Sequence, residues 1–347
     1  MLDAATAART PASVLALAVT MGDPAGIGPD IAVASWCLRS ELRLPPFVIY
    51  GDARVLEQRA STLGLNVPVA EIANVSDAAR AFDTALPVLA IAGRDTDRGV
   101  VAGIERATGD VIAGRALALV TNPIAKKSLS SISLEYPGHT AFLGLLAERH
   151  TGQHFRPIMM LASDELKVVP ATVHIPLAAV PSTLSTSLLA DTLRITAAAL
   201  ATDFGIANPR IAVAGLNPHA GEGGLIGTEE ARIITPAIAQ AVAEGIAVTG
   251  PHSADTLFHA EARAAYDAVV AMYHDQALIP LKTLAFDRGV NVTLGLPFVR
   301  TSPDHGTAYA LAGTGKARPL SFIAALRLAS ELAHRRAAAG QAAQTPR

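Results

Sequence analysis

The chain has 347 residues, of which 50% are hydrophobic and 17% charged, and its formal net charge is -2 at pH 7. This composition supports a large buried core and excludes global disorder, while the dispersed basic residues give no indication of a nucleic-acid-binding surface. The length fits either two domains or one large α/β domain.

The N-terminal segment and the cysteine content bear on the cellular compartment. Cys37 is the only cysteine, so an internal disulfide is impossible and a cysteine-based metal site is not expected. The run "ASVLALAVT" after Arg9 loosely resembles a signal peptide, but it is short and Asp3 is acidic, which favours a first core strand behind a loose arm. No uncharged apolar run reaches membrane-spanning length. We therefore expect a soluble cytoplasmic protein.

Short apolar runs alternate with longer segments of helical periodicity along the chain. The predicted strands, in chain order, are 14–20, 47–51, 116–121, 168–173, 211–216 and 268–273. The predicted helices are 29–39, 53–64, 139–152, 183–205 and 227–245, and the tail after residue 331 begins as a helix that frays. Apolar strands without alternation, joined by helices, are typical of a parallel sheet covered on both faces. The pattern predicts an α/β fold.

The last three predicted strands each end near a histidine: His174, His219 and His274, respectively. Parallel α/β sheets bind ligands at the carboxyl edge of their strands. Three neutral imidazoles and a water are sufficient for Zn²⁺ or a similar divalent ion, with an open position for a substrate oxygen. Each histidine taken alone is more simply a hydrogen-bonded loop residue, but three at equivalent positions favour a metal site.

A second group of polar residues surrounds an apolar and glycine-rich stretch towards the C-terminus. It contains Lys282, Asn291 and Arg300, the last directly after the apolar run "LPFV". His139 and Thr140 stand at the start of a predicted helix, where the free N–H groups of the first turn attract an anion. A single Lys or Arg is usually solvated, so the prediction of an anion site depends on the whole group.

Two glycine-rich segments are candidates for loops that approach a ligand. The segment "MGDPAGIGPD" (21–30) lacks the G-x-G-x-x-G spacing of a dinucleotide fingerprint, so we interpret it as a strand-to-helix turn lining a cleft. The segment "DHGTAYALAGTGKARP" (304–319) offers backbone groups to a nucleotide. On spacing alone it is equally well a tight loop that ends in a helix cap.

Several long motifs occur in one order along the chain: "GDPAGIGP", "TNPIAKKSL", "YPGHT", "TVHIPL", "GLNPHAGEGG", "ADTLF", "MYHDQALIPLK", "RGVNVTLGLPFVRTSPDHGTA" and "LAGTGKA". Together they resemble the 4-hydroxythreonine-4-phosphate dehydrogenase family of pyridoxal phosphate biosynthesis. The resemblance implies oxidation of the C3 hydroxyl of 4-phosphooxy-L-threonine by NAD⁺ or NADP⁺. The resulting β-keto acid then loses CO₂ to give 3-amino-2-oxopropyl phosphate.

The resemblance also implies an architecture similar to isocitrate and isopropylmalate dehydrogenases, with two α/β/α domains around a cleft. The first domain would comprise 1–130 and 285–347, on the nucleotide side, and the second 131–284, on the metal and dimer side. The implied assembly is a homodimer with its active site near the interface. His274 would reach a metal held by His174 and His219 of the other subunit.

The remaining site residues follow from the family motifs. The resemblance places the substrate on His139, Thr140, Lys282, Asn291 and Arg300. It places the dinucleotide on His305, Gly306, Thr307, Ala308, Gly313 and Gly315. Lys282 is a candidate general base, with metal-bound water as the alternative, and Asp255 is a candidate for a supporting or proton-relay role. The expected metal is Zn²⁺, with Mg²⁺, Co²⁺ or another divalent ion as alternatives.

Two departures from the family pattern lie beside the expected anion pocket. Ala141 replaces the Glu that commonly follows "GHT", and the segment before that motif is shorter than usual. With these departures, a second interpretation stays open: a member of the same family that acts on D-threonate or D-erythronate 4-phosphate, or on the cis-dihydrodiol of terephthalate. Further alternatives are a metal-dependent hydrolase or lyase without a nicotinamide, and a catalytically silent binding protein.

Overall fold

A computed structural model of the chain describes residues 14–91, 97–125 and 138–344. Twelve strands form one sheet. They are β1 (Leu17–Thr20), β2 (Phe47–Gly51), β3 (Val69–Ile72), β4 (Leu86–Ala90), β5 (Leu119–Thr121), β6 (Ile158–Ala162), β7 (Lys167–Pro170), β8 (Arg210–Ala214), β9 (Ala247–His252), β10 (Ala268–Ala271), β11 (Val290–Leu294) and β12 (Arg300–Pro303).

Helices cover both faces of this sheet. They are α1 (Gly28–Cys37), α2 (Ala53–Thr62), α3 (Ala78–Phe82), α4 (Asp97–Ile112), α5 (His139–Thr151), α6 (Val180–Thr183), α7 (Thr186–Thr202), α8 (Thr235–Ala243), α9 (Ala260–Arg263), α10 (His274–Ala285) and α11 (Leu320–Gln344). Within the described ranges, no helix is both long enough and apolar enough to cross a membrane.

The strand order is β3-β4-β2-β1-β5-β12-β11-β6-β7-β10-β8-β9. The expectation of a wholly parallel sheet was wrong, because the pairs β12–β11, β11–β6 and β6–β7 are antiparallel. The connections 163–166 and 295–299 are too short for a crossover helix, so the strands that they join are antiparallel. The carboxyl ends of β1, β5 and β12 consequently lie at one edge of the sheet, and those of β7, β8 and β10 lie at the opposite edge.

Strand β1 shows why the strands of this chain do not alternate in polarity. Leu17 and Val19 face a core that also contains Phe322 of α11, whereas Ala18 faces a second core with Ile104 of α4. Both faces are buried, as the uninterrupted apolar runs predicted. The α/β class is confirmed. The predicted domain boundary at 130/131 lies outside the described residues, and the division into two domains stays a prediction.

Candidate active site

Arg300 begins β12 and is buried, with 3% of its surface exposed. Its Nε and Nη2 donate to Thr121 Oγ1 at 3.2 and 2.5 Å, and its Nη1 donates to Thr293 Oγ1 at 2.9 Å. Burial alone lowers the pKa of Arg300, to about 10, with no contribution from a described carboxylate. The guanidinium is therefore charged at neutral pH. A buried cation without a counter-charge is costly unless an anion binds to it.

His139 lies beside this cation at the start of α5. Burial lowers the pKa of His139 well below its usual range, and the charge of Arg300 lowers it further. Its Nε2 is buried and has no hydrogen-bond partner among the described residues. The ring is therefore neutral and has one nitrogen to offer to a ligand. Thr140 follows in the first turn of the same helix.

Strand pairing puts Asn291 on the same face of the sheet as Arg300. In the antiparallel pair β11–β12, Thr293 lies opposite Arg300 and Asn291 lies opposite Ser302. Residues two apart on a strand, and residues directly opposite on its neighbour, point to one face. Asn291 Oδ1 is buried and has no partner within the described part of the chain. This pairing places Asn291 of the predicted anion group on the same face as Arg300, the cation beside which His139 lies.

Lys282 is fixed by a residue that follows the end of β12. Its Nζ lies 2.6 Å from the backbone oxygen of Asp304 and 2.6 Å from the carboxylate Oδ2 of Asp304. Lys282 is predicted to bind the substrate anion, but the Asp304 carboxylate already neutralises its positive charge. In this respect Lys282 differs from Arg300.

The three histidines predicted to bind a metal follow three adjacent strands, β7, β10 and β8. The rings of His174 and His274 lie 5.5 Å apart between centroids. His219 Nδ1 lies 3.5 Å from Glu222 Oε2. The pKa of the exposed Asp255 carboxyl is lowered, mainly by the Ser253 hydroxyl that donates to it and also by the nearby His219. In the described residues, no group of three or more His, Cys, Asp or Glu side chains is placed to hold a metal ion.

Two of these histidines occupy unusual backbone conformations. The φ angles of His174 and His219 are 45° and 52°, in the left-handed region that residues with a β-carbon rarely adopt. Such strain costs on the order of 1–3 kcal/mol and clusters at functional sites. The buried Glu230 holds the loop of His219, because its Oε1 accepts from Leu216 N and Asn217 N, both at 2.8 Å. Imidazole nitrogens are suitable ligands for a divalent metal, but within the described part of one chain the three histidines do not form a metal-binding cluster.

His274 is oriented by the two residues that follow it. Its Nδ1 lies 2.7 Å from Asp275 Oδ1, which leaves Nε2 as the nitrogen for a metal. Gln276 Oε1 accepts from Met272 N at 2.7 Å, and its Nε2 donates to Gly215 O at 2.8 Å. Gln276 therefore ties the end of β10 to the end of β8.

The two glycine-rich segments of the sequence pack against each other. Ile27 N donates to Thr307 O at 3.0 Å, and a β-carbon on Gly26 would lie 2.9 Å from that oxygen. Asp30 Oδ1 accepts from Gly313 N at 2.7 Å. The segment 21–30 is thus the strand-to-helix turn that we predicted, and it also supports the predicted dinucleotide loop.

A largely buried ion pair stabilises the first of these segments. Arg59 pairs with Asp30 and donates to Gly26 O at 3.0 Å and Pro24 O at 3.1 Å. Neither Arg59 nor Asp30 was among the predicted site residues. The only signal was the position of Asp30 at the end of the first glycine-rich motif, since Arg59 lies 29 positions away on α2.

The predicted dinucleotide loop keeps backbone and ring atoms for a ligand. Burial lowers the pKa of His305, and its Nε2 is buried with no partner in the described chain. β-Carbons on Gly306 or Gly315 would meet nothing within 4 Å. Ala308 has a φ of 44°, which is strained for a residue with a β-carbon. An open, glycine-rich turn with an unpaired ring nitrogen fits the backbone binding of a dinucleotide.

Comparison with known proteins identifies the family. The family described as "Pyridoxal phosphate biosynthetic protein PdxA" matches residues 43–329. The chain belongs to this family. It is 53% identical to a 4-hydroxythreonine-4-phosphate dehydrogenase of Methylorubrum extorquens, over 92% of this chain and 95% of that protein. The same enzyme of Bradyrhizobium diazoefficiens is 53% identical, over 91% and 96%.

Solved structures of PdxA relatives agree with the fold described above. The 4-hydroxythreonine-4-phosphate dehydrogenase of Klebsiella pneumoniae is 37% identical and superimposes with a TM-score of 0.80, covering 93% of this chain and 99% of that one. The terephthalate 1,2-cis-dihydrodiol dehydrogenase of Burkholderia xenovorans is 27% identical with a TM-score of 0.60, covering 91% and 98%. The predicted family and enzyme class are confirmed.

Buried histidine in this PdxA chain predicts a pH dependence of stability. The folded-state pKa of His139 is lowered from 6.5, so the unfolded chain binds a proton more readily. The free energy of unfolding should therefore fall as pH drops below about 6.5, by at most about 1.4 kcal/mol per pH unit from this residue. Urea unfolding at pH 7.5 and 5.5 measures this change in the free energy of unfolding, for the wild type and for His139→Gln. A loss of stability equal in both proteins would contradict the assignment.

Proposed function

We propose that this chain is a divalent-metal-dependent NAD(P) dehydrogenase that oxidises the C3 hydroxyl of 4-phosphooxy-L-threonine. Hydride leaves C3 for the nicotinamide, and the hydroxyl proton is released. The β-keto acid then loses CO₂ and is protonated at C2, giving 3-amino-2-oxopropyl phosphate. The observation that carries the proposal is the buried Arg300 guanidinium, which only threonine hydroxyls contact in the described chain.

The anionic end of the substrate binds at Arg300. Three of its five N–H groups go to Thr121 and Thr293, so two remain for phosphate or carboxylate oxygens. The neutral His139, with Thr140 in the same helical turn, adds hydrogen bonds without adding charge. Asn291 Oδ1 accepts from a substrate hydroxyl or ammonium group. These contacts hold the carbinol hydrogen of C3 in one orientation.

The metal ligands of the proposal are His174, His219 and His274. A divalent ion bound there would polarise the C3 oxygen and stabilise the negative charge that develops when CO₂ leaves. Asp275 fixes the ring of His274, and Asp255 is the acidic neighbour of His219. In the proposal, the Lys282 ammonium group first passes a proton to the Asp304 carboxylate 2.6 Å away, and its neutral amine then accepts the proton of the C3 hydroxyl.

In the proposal, the dinucleotide binds along the loop of residues 305–315. Within one chain this loop follows the carboxyl end of β12, whereas the three histidines follow strands that run in the opposite direction. The metal ligands and the nicotinamide side therefore belong to opposite edges of one sheet. A second copy of the chain brings the two together, which supports a homodimer with the active site at the interface. Cytoplasmic location stays a prediction.

A substrate panel tests the proposal. 4-Phosphooxy-L-threonine, D-threonate 4-phosphate, D-erythronate 4-phosphate and the terephthalate cis-dihydrodiol are compared under one metal and one cofactor, with absorbance at 340 nm as the readout. We expect the highest kcat/KM with 4-phosphooxy-L-threonine. A higher kcat/KM with another compound would show that the enzyme acts on that related substrate. If none of the compounds yields NADH, the dehydrogenase proposal is contradicted, and a non-redox enzyme or a binding protein remains as the explanation.

A further inference from the structure

Asn122 is a buried polar residue to which neither the family motifs nor the proposed mechanism gives a role. It directly follows β5 and is 0% exposed. Neither its Oδ1 nor its Nδ2 has a hydrogen-bond partner within the described part of the chain. Native proteins pair almost all buried amide groups, because an unpaired one loses its hydration without compensation. A ligand that pairs both atoms would compensate for this loss of hydration.

Asn122 lies next to the proposed substrate-binding cation. The preceding residue, Thr121, accepts two hydrogen bonds from Arg300. On its other side, Asn122 contacts the first glycine-rich turn: β-carbons on Gly22 and Gly28 would lie 2.8 and 3.3 Å from Asn122 Cβ. Only glycine allows the turn to approach so closely, and Gly22 also has a φ of 79°.

The same turn contacts the proposed dinucleotide loop. Ile27 N donates to Thr307 O, and Gly26 packs on the Thr307 backbone and side chain. Asn122 therefore lies between the substrate-binding group around Arg300 and the loop of residues 305–315. In the proposed reaction, this is the region where the nicotinamide must meet C3 of the substrate.

We infer that Asn122 binds the carboxamide of the nicotinamide, an inference that rests on the proposed dehydrogenase function. A phosphate would accept from Nδ2 but leave Oδ1 unpaired, and an ammonium group would do the reverse. A carboxamide has both a carbonyl acceptor and N–H donors, so it satisfies both atoms of the Asn122 amide at once. Because the amide is enclosed in the ligand-free chain, cofactor binding requires a local shift of the turn of residues 22–28.

Binding of two cofactors to one variant tests the inference. The variant is Asn122→Leu, and dissociation constants are measured by titration calorimetry for NAD⁺ and for 3-acetylpyridine adenine dinucleotide, whose acetyl group lacks the N–H donors. We expect the wild type to prefer NAD⁺ by about tenfold, the effect of one buried hydrogen bond. In Asn122→Leu, NAD⁺ should bind about tenfold or more weakly, and the preference should disappear. Asn208→Leu, at an exposed loop position, should behave as the wild type.

Thermal unfolding of the ligand-free protein separates binding from a structural role. Leucine has a shape similar to asparagine and needs no hydrogen bonds, so Asn122→Leu should keep or raise Tm. A lower Tm in both Asn122→Leu and Asn122→Ala would show a structural role and overturn the inference. So would unchanged NAD⁺ affinity, or a raised substrate KM with unchanged NAD⁺ affinity, while the proposed function would stand. Failure of the wild type to bind NAD⁺ would overturn both.

Discussion

Replacing Arg300 with Met is expected to lower kcat/KM for the phosphorylated substrate by roughly two to three orders of magnitude, since truncating one partner of a buried charge pair costs about 2–5 kcal/mol. In the proposal the Arg300 guanidinium binds the substrate anion, and its described partners are the neutral hydroxyls of Thr121 and Thr293. Steady-state assays over a range of substrate concentrations measure the loss. Arg300→Lys should show a smaller loss, because it keeps the charge but not the planar fork.

The ligand-free stability of Arg300→Met gives an independent measurement. Removing an uncompensated buried charge and filling its volume with an apolar chain is often neutral or stabilising. The Tm of the variant should therefore not fall below that of the wild type. Arg327→Met on the exposed side of α11 is the matched control, since Arg327 donates only to Leu42 O in the described contacts. A kcat/KM within about threefold of the wild type in Arg300→Met would rule out the anion site.

Replacing His219 with Ala is expected to remove the bound metal together with turnover. Loss of one of three imidazole ligands leaves too few donors for a stable site, so metal affinity should drop by roughly 100-fold or more. The metal content per chain is measured by mass spectrometry after dialysis, next to kcat under saturating substrate. Treatment of the wild type with a chelator should abolish the same activity, and adding Zn²⁺ or Co²⁺ should restore it.

His334→Ala provides the comparison for this experiment, because His334 is an exposed histidine on α11. It should retain both metal and turnover. Unchanged metal content in His219→Ala would remove this histidine from the site. Full turnover in metal-free wild type would contradict the metal-dependent mechanism while leaving the anion site in place.

Helix α10 illustrates a local signal that pointed away from the structure. The segment "HDQALIPLK" carries Pro280 in the interior of the helix, and proline normally removes a helical hydrogen bond and bends or ends the helix. The predicted strand 268–273 was accordingly not followed by a predicted helix. The helix forms because Leu281 and Ala277 are buried against the sheet. Tertiary packing outweighs the local preference here.

The central strands β11 and β12 were missed for a different reason. "VNVTL" and "RTSP" are short and partly polar, and they carry Asn291 and Arg300. We described this region as polar residues around an apolar and glycine-rich stretch, and we predicted no strand there. In the structure they join the two halves of the sheet and reverse its strand direction. The polar side chains that the binding site requires are the ones that obscure the strand pattern in the sequence.

Local sequence patterns indicated the α/β class, the strand ends at which the histidines stand, and the family motifs. Burial on both faces, turns and strand ends are local properties, and they are encoded by neighbouring residues. The contact of Arg300 with Thr121 spans 179 positions, and the clamp of Gly313 by Asp30 spans 283. Such pairs depend on strand order and register, which no local periodicity encodes. Folding therefore buried Arg300 without a described counter-charge and Asn122 without a described hydrogen-bond partner. It also placed the carboxyl end of β12 and those of the three histidine-bearing strands at opposite edges of the sheet.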